Sequence, residues 1–228
     1  MACLEFSQFD ADAFGLPFYR VKTLDREQLA LEIAGLPAAG GFAADAKAPA
    51  EDVGTARLLM GLGFRKVSMQ IRLTHDLKIM PPDGGAGISS RLDLPEDALW
   101  RHARNFRYDR FNQDPLLPRE GTARLFFQWT RNSLTQGRKE IVHRGSDFCT
   151  FSMNPDGHAA IDLISVLDHG KGIGKALVAS TLHAASRRGA TKLHVVTECE
   201  NYPAWNLYLK TGFRPTAFIA AFHLVRLP

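Results

Sequence analysis

An α/β fold is what this 228-residue sequence predicts: a mixed, mainly antiparallel sheet flanked by helices, with a smaller α/β domain at the N-terminal end. Three observations carry that expectation. The later part of the chain alternates strand-like and helix-like patterns and closes on a β-α-β-α-β run. In the earlier part, Lys66–Leu73 alternates strictly, with Val67, Met69, Ile71 and Leu73 on one face and Lys66, Ser68, Gln70 and Arg72 on the other, as a half-buried antiparallel strand does. Between the two parts, Met80-Pro-Pro-Asp-Gly-Gly-Ala-Gly87 reads as a linker or long turn. The boundary is placed there, giving a small domain over 1–80 and a larger one over 87–228.

The remaining elements follow in order. Helices are expected over Leu24–Ala34 and Thr55–Leu62, with the Ala-, Gly- and Pro-rich stretch Pro37–Ala50 read as a surface loop. After the linker come a short strand near Gly87–Leu92 and helices around Pro95–Asn105 and Thr122–Thr135. Three strands are expected near Lys139–Arg144, Asp147–Asn154 and His158–Val166. A helix over Gly172–Arg188, a strand over Lys192–Thr197, a helix over Ala204–Lys210 and an extended run over Ala217–Leu227 complete the chain.

Composition narrows the function classes. Hydrophobic residues at 45% and charged residues at 23% allow a core that needs no metal or disulfide staple. Cys3, Cys149 and Cys199 are scattered and odd in number, which argues against a disulfide framework or a zinc site and suits a reducing, cytoplasmic setting. The acidic N-terminal stretch lacks signal-peptide character, and the longest apolar run, Ala217–Phe222, is too short for a membrane span. A net charge of +4 does not point to nucleic acid, but it fits a preference for anionic small molecules.

Two features carry chemistry. The strand ending Ile164-Ser165-Val166 leads into Gly170-Lys171-Gly172-Ile173-Gly174-Lys175, which opens a helix. Alternate glycines let backbone approach a ligand, and the unpaired N–H groups of a first helical turn carry partial positive charge. Lys171 and Lys175 add more, so the loop is either a diphosphate cradle or a tight strand–helix turn. The second feature is Asn201-x-x-Ala204-x-x-Leu207-Tyr208-x-x-x-Gly212-Phe213. Asn201 opens a helix, Gly212 ends it, and Tyr208 rises on the Asn201 face two turns later. An echo of this unit occurs earlier, where Leu58-Leu59-x-x-x-Gly63-Phe64-Arg65 parallels Leu207-Tyr208-x-x-x-Gly212-Phe213-Arg214, with Leu59 in the place of Tyr208. The echo is either a degenerate copy or a shared helix stop.

Together the two features resemble the GNAT superfamily of N-acetyltransferases. His169–Gly174 is similar to its [QR]xxGx[GA] loop, with His169 departing from the usual Gln or Arg, and Asn201–Phe213 is similar to its later motif. The resemblance covers most of 87–228. It implies acetyl-CoA as cosubstrate, with pantetheine along Leu163–Val166 and diphosphate at Gly170–Lys175. Ile164, Ser165, Val166, Gly170, Lys171, Gly172, Ile173, Gly174, Lys175 and Asn201 are then cofactor-binding, and no metal is expected. A backbone N–H of Ile164 or Ser165 would stabilise the oxyanion, and Tyr208 would be the acid that protonates the leaving thiolate. For the proton leaving the amine, spacing singles out none of Glu198, Glu200, Asp162, Asp168 and His194. Glu198 ranks first among these residues, and a solvated carboxylate or a water relay ranks ahead of any of them.

Three further features look like the dTDP-amino-sugar N-acetyltransferases: Phe14–Arg20, the Arg124–Leu134 helix, and a strand-to-loop turn shorter than the family's usual one. That resemblance implies a nucleotide-linked amino sugar as partner, met by Arg107, Tyr108, Arg110, Trp129 and Asn132, and a homodimer is compatible with it. The alternatives are another amine (a polyamine, an antibiotic or a protein N-terminus) and a CoA-binding regulatory module without catalysis.

Overall fold

The computed structural model describes residues 2–37 and 39–227. In chain order the elements are β1 (Leu4–Phe6), α1 (Gln8–Phe14), β2 (Phe18–Val21), α2 (Arg26–Ala34), β3 (Phe42–Pro49), α3 (Val53–Gly61), β4 (Arg65–Asp76) and β5 (Gly87–Ser89). They continue with α4 (Glu96–Asn105), α5 (Arg110–Gln113), α6 (Arg119–Thr135), β6 (Glu140–Arg144), β7 (Asp147–Met153), β8 (Ala159–Ser165), α7 (Ile173–Arg187), β9 (Lys192–Glu198), α8 (Tyr202–Lys210) and β10 (Arg214–Arg226). The expected mixed sheet is present. Its ten strands lie in the order β1-β2-β3-β10-β4-β9-β8-β7-β6-β5, antiparallel except at β2–β3 and β8–β9.

The sheet does not part at the proline–glycine segment. β4, from the first 80 residues, lies between β10 and β9, while β10 lies between β3 and β4. The segment itself is docked on α7. Ser180 Oγ donates to Asp83 at 2.6 Å and accepts from the Ala86 N–H at 3.1 Å, and His183 Nδ1 bonds the Pro81 carbonyl at 2.9 Å. Gly84 presses so close to the Ala176 carbonyl that a Cβ there would collide with it.

Helices cover both faces of the sheet. One face carries α7 and α8 over Ile71, Leu73, Val142, Phe151 and Val195, and α2 and α3 over Ala44, Ala46, Phe222 and Leu224. The opposite face carries α1, α4, α5 and α6 over Phe18, Ala43, Phe148 and Leu163. This double cover corrects two expectations. The stretch Pro37–Ala50 is not a surface loop: its residues 42–49 form β3, buried in the middle of the sheet, where alanines let helices approach closely. Alanine has low strand propensity, so tertiary packing decides here. Residue 38 of that stretch lies outside the described residues. On the polar face of β4, Lys66 and Arg72 are exposed as expected, but Ser68 and Gln70 between them are buried. The short β1, α1, β2 and α5 add to the expected elements.

The repeated helix–Gly–Phe unit has a geometric counterpart. Asp52 caps α3 by accepting from the Thr55 N–H, as Asn201 caps α8 by accepting from Ala204. Gly63 and Gly212 follow the two helices at φ +90° and +91°, in the left-handed region that glycine tolerates. The next N–H, of Phe64 or Phe213, then bonds the carbonyl of Leu59 or Tyr208 at 3.0 Å in both units.

A buried ionic cluster ties the early strands to the later part of the chain. His223 of β10 places Nδ1 3.0 Å from Asp114 and Nε2 3.6 Å from Asp45, Arg110 pairs with Asp45 at 3.0 Å, and Arg65 pairs with Asp114 at 2.7 Å. Burial disfavours charge at His223, but Asp114 and then Asp45 outweigh it and raise its pKa. Burial also opposes ionisation of Asp114, yet hydrogen bonds from His223, the Leu116 N–H and Arg65 hold it at about 2. Because the His223 value is raised, its contribution is complete below about pH 6.5 and fades as pH rises through the folded value. The lowered Asp114 contribution is complete above about pH 4 and fades as pH falls towards 2. Urea unfolding should therefore show a midpoint that declines above about pH 7. Asp114→Asn should cost about 3–5 kcal/mol and flatten that decline; an unchanged pH profile in the variant would contradict the assignment.

Candidate active site: a gap between parallel strands

β8 and β9 are parallel and pair only at their beginnings, Ala159 with Leu193 and Ala160 with His194. β8 nevertheless runs on to Ser165 beside β7, and β9 runs on to Glu198 beside β4. The two strands therefore diverge, and the edges that face each other across the wedge lack strand partners. The register of β8 against β7 shifts between Leu163 and Ile161, leaving Asp162 as an extra residue; such a bulge bends a strand and sharpens its twist.

The loop after β8 ends at the mouth of α7. Gly170 and Gly172 have φ of +81° and +74°, so any other residue would be strained there. Gly172 is the N-cap and no side chain caps the helix, which leaves its first-turn N–H groups pointing into the loop. Gly174 is glycine for another reason: a Cβ would stand 3.3 Å from Leu207 of α8 and 3.8 Å from Val166. Lys171 is exposed and pairs with Asp168 at 3.0 Å, Lys175 is exposed, and Ile173 is half-buried in the α7 core.

Along β8, Ile164 and Val166 pack into the core beneath α7. Ser165 is buried and faces the opposite way. Its Oγ lies 2.8 Å from His102 Nδ1 and accepts from Asn105 Nδ2 at 3.3 Å, while Asn105 also donates to the Val166 carbonyl at 3.0 Å. The Ser165 side chain and the Val166 carbonyl are thus engaged in holding α4 against the sheet. Burial lowers the His102 pKa, which favours its neutral form. Asn201 is engaged at both ends of its amide: Oδ1 accepts from Ala204 at 3.3 Å and Nδ2 donates to Thr197 Oγ1 at 3.1 Å. Its place is to set the β9–α8 turn.

Tyr208 is buried on the α7–α8 face, with its ring 5.5 Å from Phe213. Burial first, and then the neighbouring Cys149, push its pKa well above the usual phenol value, so it keeps its proton. Cys149 is itself pushed up to about 12 by burial, which makes it an inert thiol.

The opposite face joins Glu198, the first-ranked candidate for the base, to residues that the sequence reading passed over. β9 presents Glu198 there, buried, accepting from Gln70 Nε2 at 2.8 Å. Ser68 Oγ and Gln70 Oε1 are buried without partners among the described residues. A cavity of about 600 Å³ lies on this face at β3, lined by Arg20, Asp45, Lys47, Arg110 and Trp129 among others. Lys47 reaches water but is surrounded by protein, and this desolvation together with Arg110 pushes its ammonium down to about 8. Arg110 and Trp129 were expected near the acceptor and line the cavity, whereas Arg107 borders a separate hollow and Tyr108 is exposed. Two residues gave a signal that could have been read: Ser68 and Gln70 alternate with the apolar side of β4, and only the assumption of a solvated outer face hid them.

Residues 146–213, which hold the β8–β9 gap, the glycine loop and α8, match the acetyltransferase (GNAT) family, so this segment is similar to that family. The chain is similar to a dTDP-fucosamine acetyltransferase of Escherichia coli O6:H1, 26% identical over 173 residues, 73% of this chain and 75% of that one. Its fold is shared with a GCN5-related N-acetyltransferase from Sphaerobacter thermophilus (14% identity, TM-score 0.62, covering 99% of this chain and 76% of that one). It is shared also with a tandem GNAT protein of clavulanic acid biosynthesis (16% identity, TM-score 0.59, covering 94% and 77%).

Nothing stands within 4 Å of a Cβ at Gly172, so Gly172→Ala tests backbone strain alone. It should cost about 1–2 kcal/mol of stability and lower the melting temperature by a few degrees. A variant as stable as the parent would mean that the left-handed turn is not maintained.

Proposed function

We propose that the protein transfers the acetyl group of acetyl-CoA to the amine of a nucleotide-linked amino sugar, in the cytoplasm. The observation that carries this reading is the divergence of β8 from β9 at the uncapped mouth of α7. The site fits the cosubstrate in two ways: free backbone groups along a strand edge suit an extended amide-bearing arm, and free N–H groups at a helix start suit a diphosphate. When bound, acetyl-CoA supplies an acetyl group activated as a thioester, whose C–S bond breaks as the new N–C bond forms.

The chain's own groups then have separable roles. Backbone N–H groups of Gly172, Ile173, Gly174 and Lys175 hold the diphosphate, with Lys171 and Lys175 adding charge and Gly170 allowing the turn. The edge of Ile164, Ser165 and Val166 orients the arm through backbone rather than side chains. Asn201 positions α8, and α8 positions Tyr208. The Tyr208 hydroxyl, kept protonated by burial, offers its proton to the sulfur as negative charge develops there.

Two observations support an anionic nucleotide as the acceptor's carrier. The cavity beside β3 combines Arg20, Lys22, Lys47 and Arg110 with only Asp10 and Asp45, and Trp129 supplies a flat ring. The chain's curated relative is a dTDP-sugar enzyme. We further propose that residues 1–80 are a degenerate GNAT-like half without a catalytic acid or cofactor loop of its own, and 87–228 the catalytic domain. Leu59 stands where the second half has Tyr208, and the Asp25 side chain caps α2 by accepting from Gln28, closing with a carboxylate the mouth that α7 leaves open.

The purified protein should be incubated with acetyl-CoA and a panel comprising a dTDP-amino sugar, a polyamine, an aminoglycoside and a peptide, with thiol release measured. Turnover of the dTDP-amino sugar alone is expected; turnover of another amine in its place would refute the acceptor assignment. Tyr208→Phe should lower kcat about 10²–10⁴-fold with acetyl-CoA affinity unchanged. A variant with the parent's kcat would remove the acid role.

A further inference from the structure

The two faces of the sheet bring different chemistry to the β8–β9 gap. Tyr208 approaches from the α7–α8 face. On β9, Leu193 and Val195 belong to the core of that same face, so by strand alternation Val196 and Glu198 point to the other. Val196 is 42% exposed there, so the face beside the gap is open to solvent just before the buried Glu198. Next to Glu198 lies β4, whose Gln70 is its register partner and whose Ser68 has the same orientation. The geometry points to a proton-accepting amine site made by Glu198 with Gln70 and Ser68, so that the early half of the chain completes the active site through β4.

Three observations carry this. First, Glu198 is a carboxylate at the very end of the diverging strand, held by a single side-chain bond from Gln70 at 2.8 Å. Second, Gln70 Oε1 and Ser68 Oγ are buried polar atoms without partners among the described residues, although Gln70 is 5% and Ser68 4% exposed. Unpaired buried acceptors carry a desolvation cost, and a bound ammonium with its neighbouring hydroxyls would relieve it. Third, the 600 Å³ cavity lies on the same face, and its Lys47 is near enough to feel the charge of Glu198. An acceptor whose nucleotide occupies the cavity would extend its sugar along β10 and β4 toward the gap.

The inference rests on the acetyl-transfer reading. A proton passes from the acceptor's ammonium nitrogen to a carboxylate oxygen of Glu198 and on to water at the open face. The freed lone pair forms the N–C bond, the C–S bond breaks as Tyr208 protonates the sulfur, and the nitrogen's second proton passes through water to restore the Tyr208 hydroxyl. The overall reaction releases one proton per ammonium consumed. Burial raises the Glu198 pKa, Gln70 lowers it, Asp109 raises it and Arg110 lowers it, while Lys47, Cys199 and Glu200 are the other ionisable groups nearby. A raised carboxyl is better matched to an ammonium than an ordinary one.

The test compares Glu198→Gln with the parent over pH 6–10, using acetyl-CoA and a dTDP-amino sugar. At pH 7, kcat/KM should fall about 10²–10³-fold, with the deficit closing toward pH 10 as the amine deprotonates unaided. A loss equal at every pH, or no loss, would overturn the proposal. Gln70→Ala removes a bond that favours the carboxylate, so the acid limb of the profile should move to higher pH; an unmoved limb would also overturn it, even if Glu198→Gln fails to fold. Calorimetry gives a readout independent of turnover. The parent should prefer the dTDP-amino sugar over dTDP-glucose by about tenfold, and Glu198→Gln should lose that preference. If the parent binds with this preference but acetylates nothing, the acetyl-transfer reading fails and the amine site stands; an unchanged preference in Glu198→Gln would sink the amine site alone.

Discussion

The structure depends on β8 and β9 parting after one short stretch of parallel pairing. Two strands that stayed bonded to their ends would satisfy each other's backbone and leave no room between them. Here each is kept in place from outside, β8 by β7 and β9 by β4, so the wedge stays open without collapse of the sheet. Free peptide groups inside a sheet are costly unless something bonds them, so the wedge offers donors and acceptors to whatever enters it.

The continuity of the sheet binds the early half of the chain to the later half. β4 flanks β9 along Gln70–Asp76, and β10 is clasped between β3 and β4. Removing residues 1–80 would expose an edge of β9 and both edges of β10, which pairs with β3 and β4. The buried cluster of Arg65, Asp114, His223, Asp45 and Arg110 fastens the same junction electrostatically. Such clusters specify which groups meet more than they add stability, because each charge has given up its hydration.

Much of this was legible in the sequence because local rules and global packing agree. Glycines at 170, 172 and 174, the Asn201 cap and the Gly212 stop each have a steric or hydrogen-bonding reason, and the structure displays it. What stayed hidden depends on contacts between distant segments. β3 is written in alanines, which signal nothing about strands until one sees helices on both sides. Ser68 and Gln70 read as a solvated face because nothing local tells that β9 and α5 will cover them. The Asn201 side chain is held at both ends within its own turn, which spacing alone does not show.

The central claim is that one gap takes a diphosphate at one end and a proton donor beside the other. A crystal structure of the protein with acetyl-CoA tests it directly. The account predicts the diphosphate on the N–H groups of residues 172–175, the arm along Ile164–Val166, and the sulfur within hydrogen-bonding reach of the Tyr208 hydroxyl. Diphosphate density away from α7, or a phenol walled off from the sulfur by Cys149 and Phe213, would contradict it.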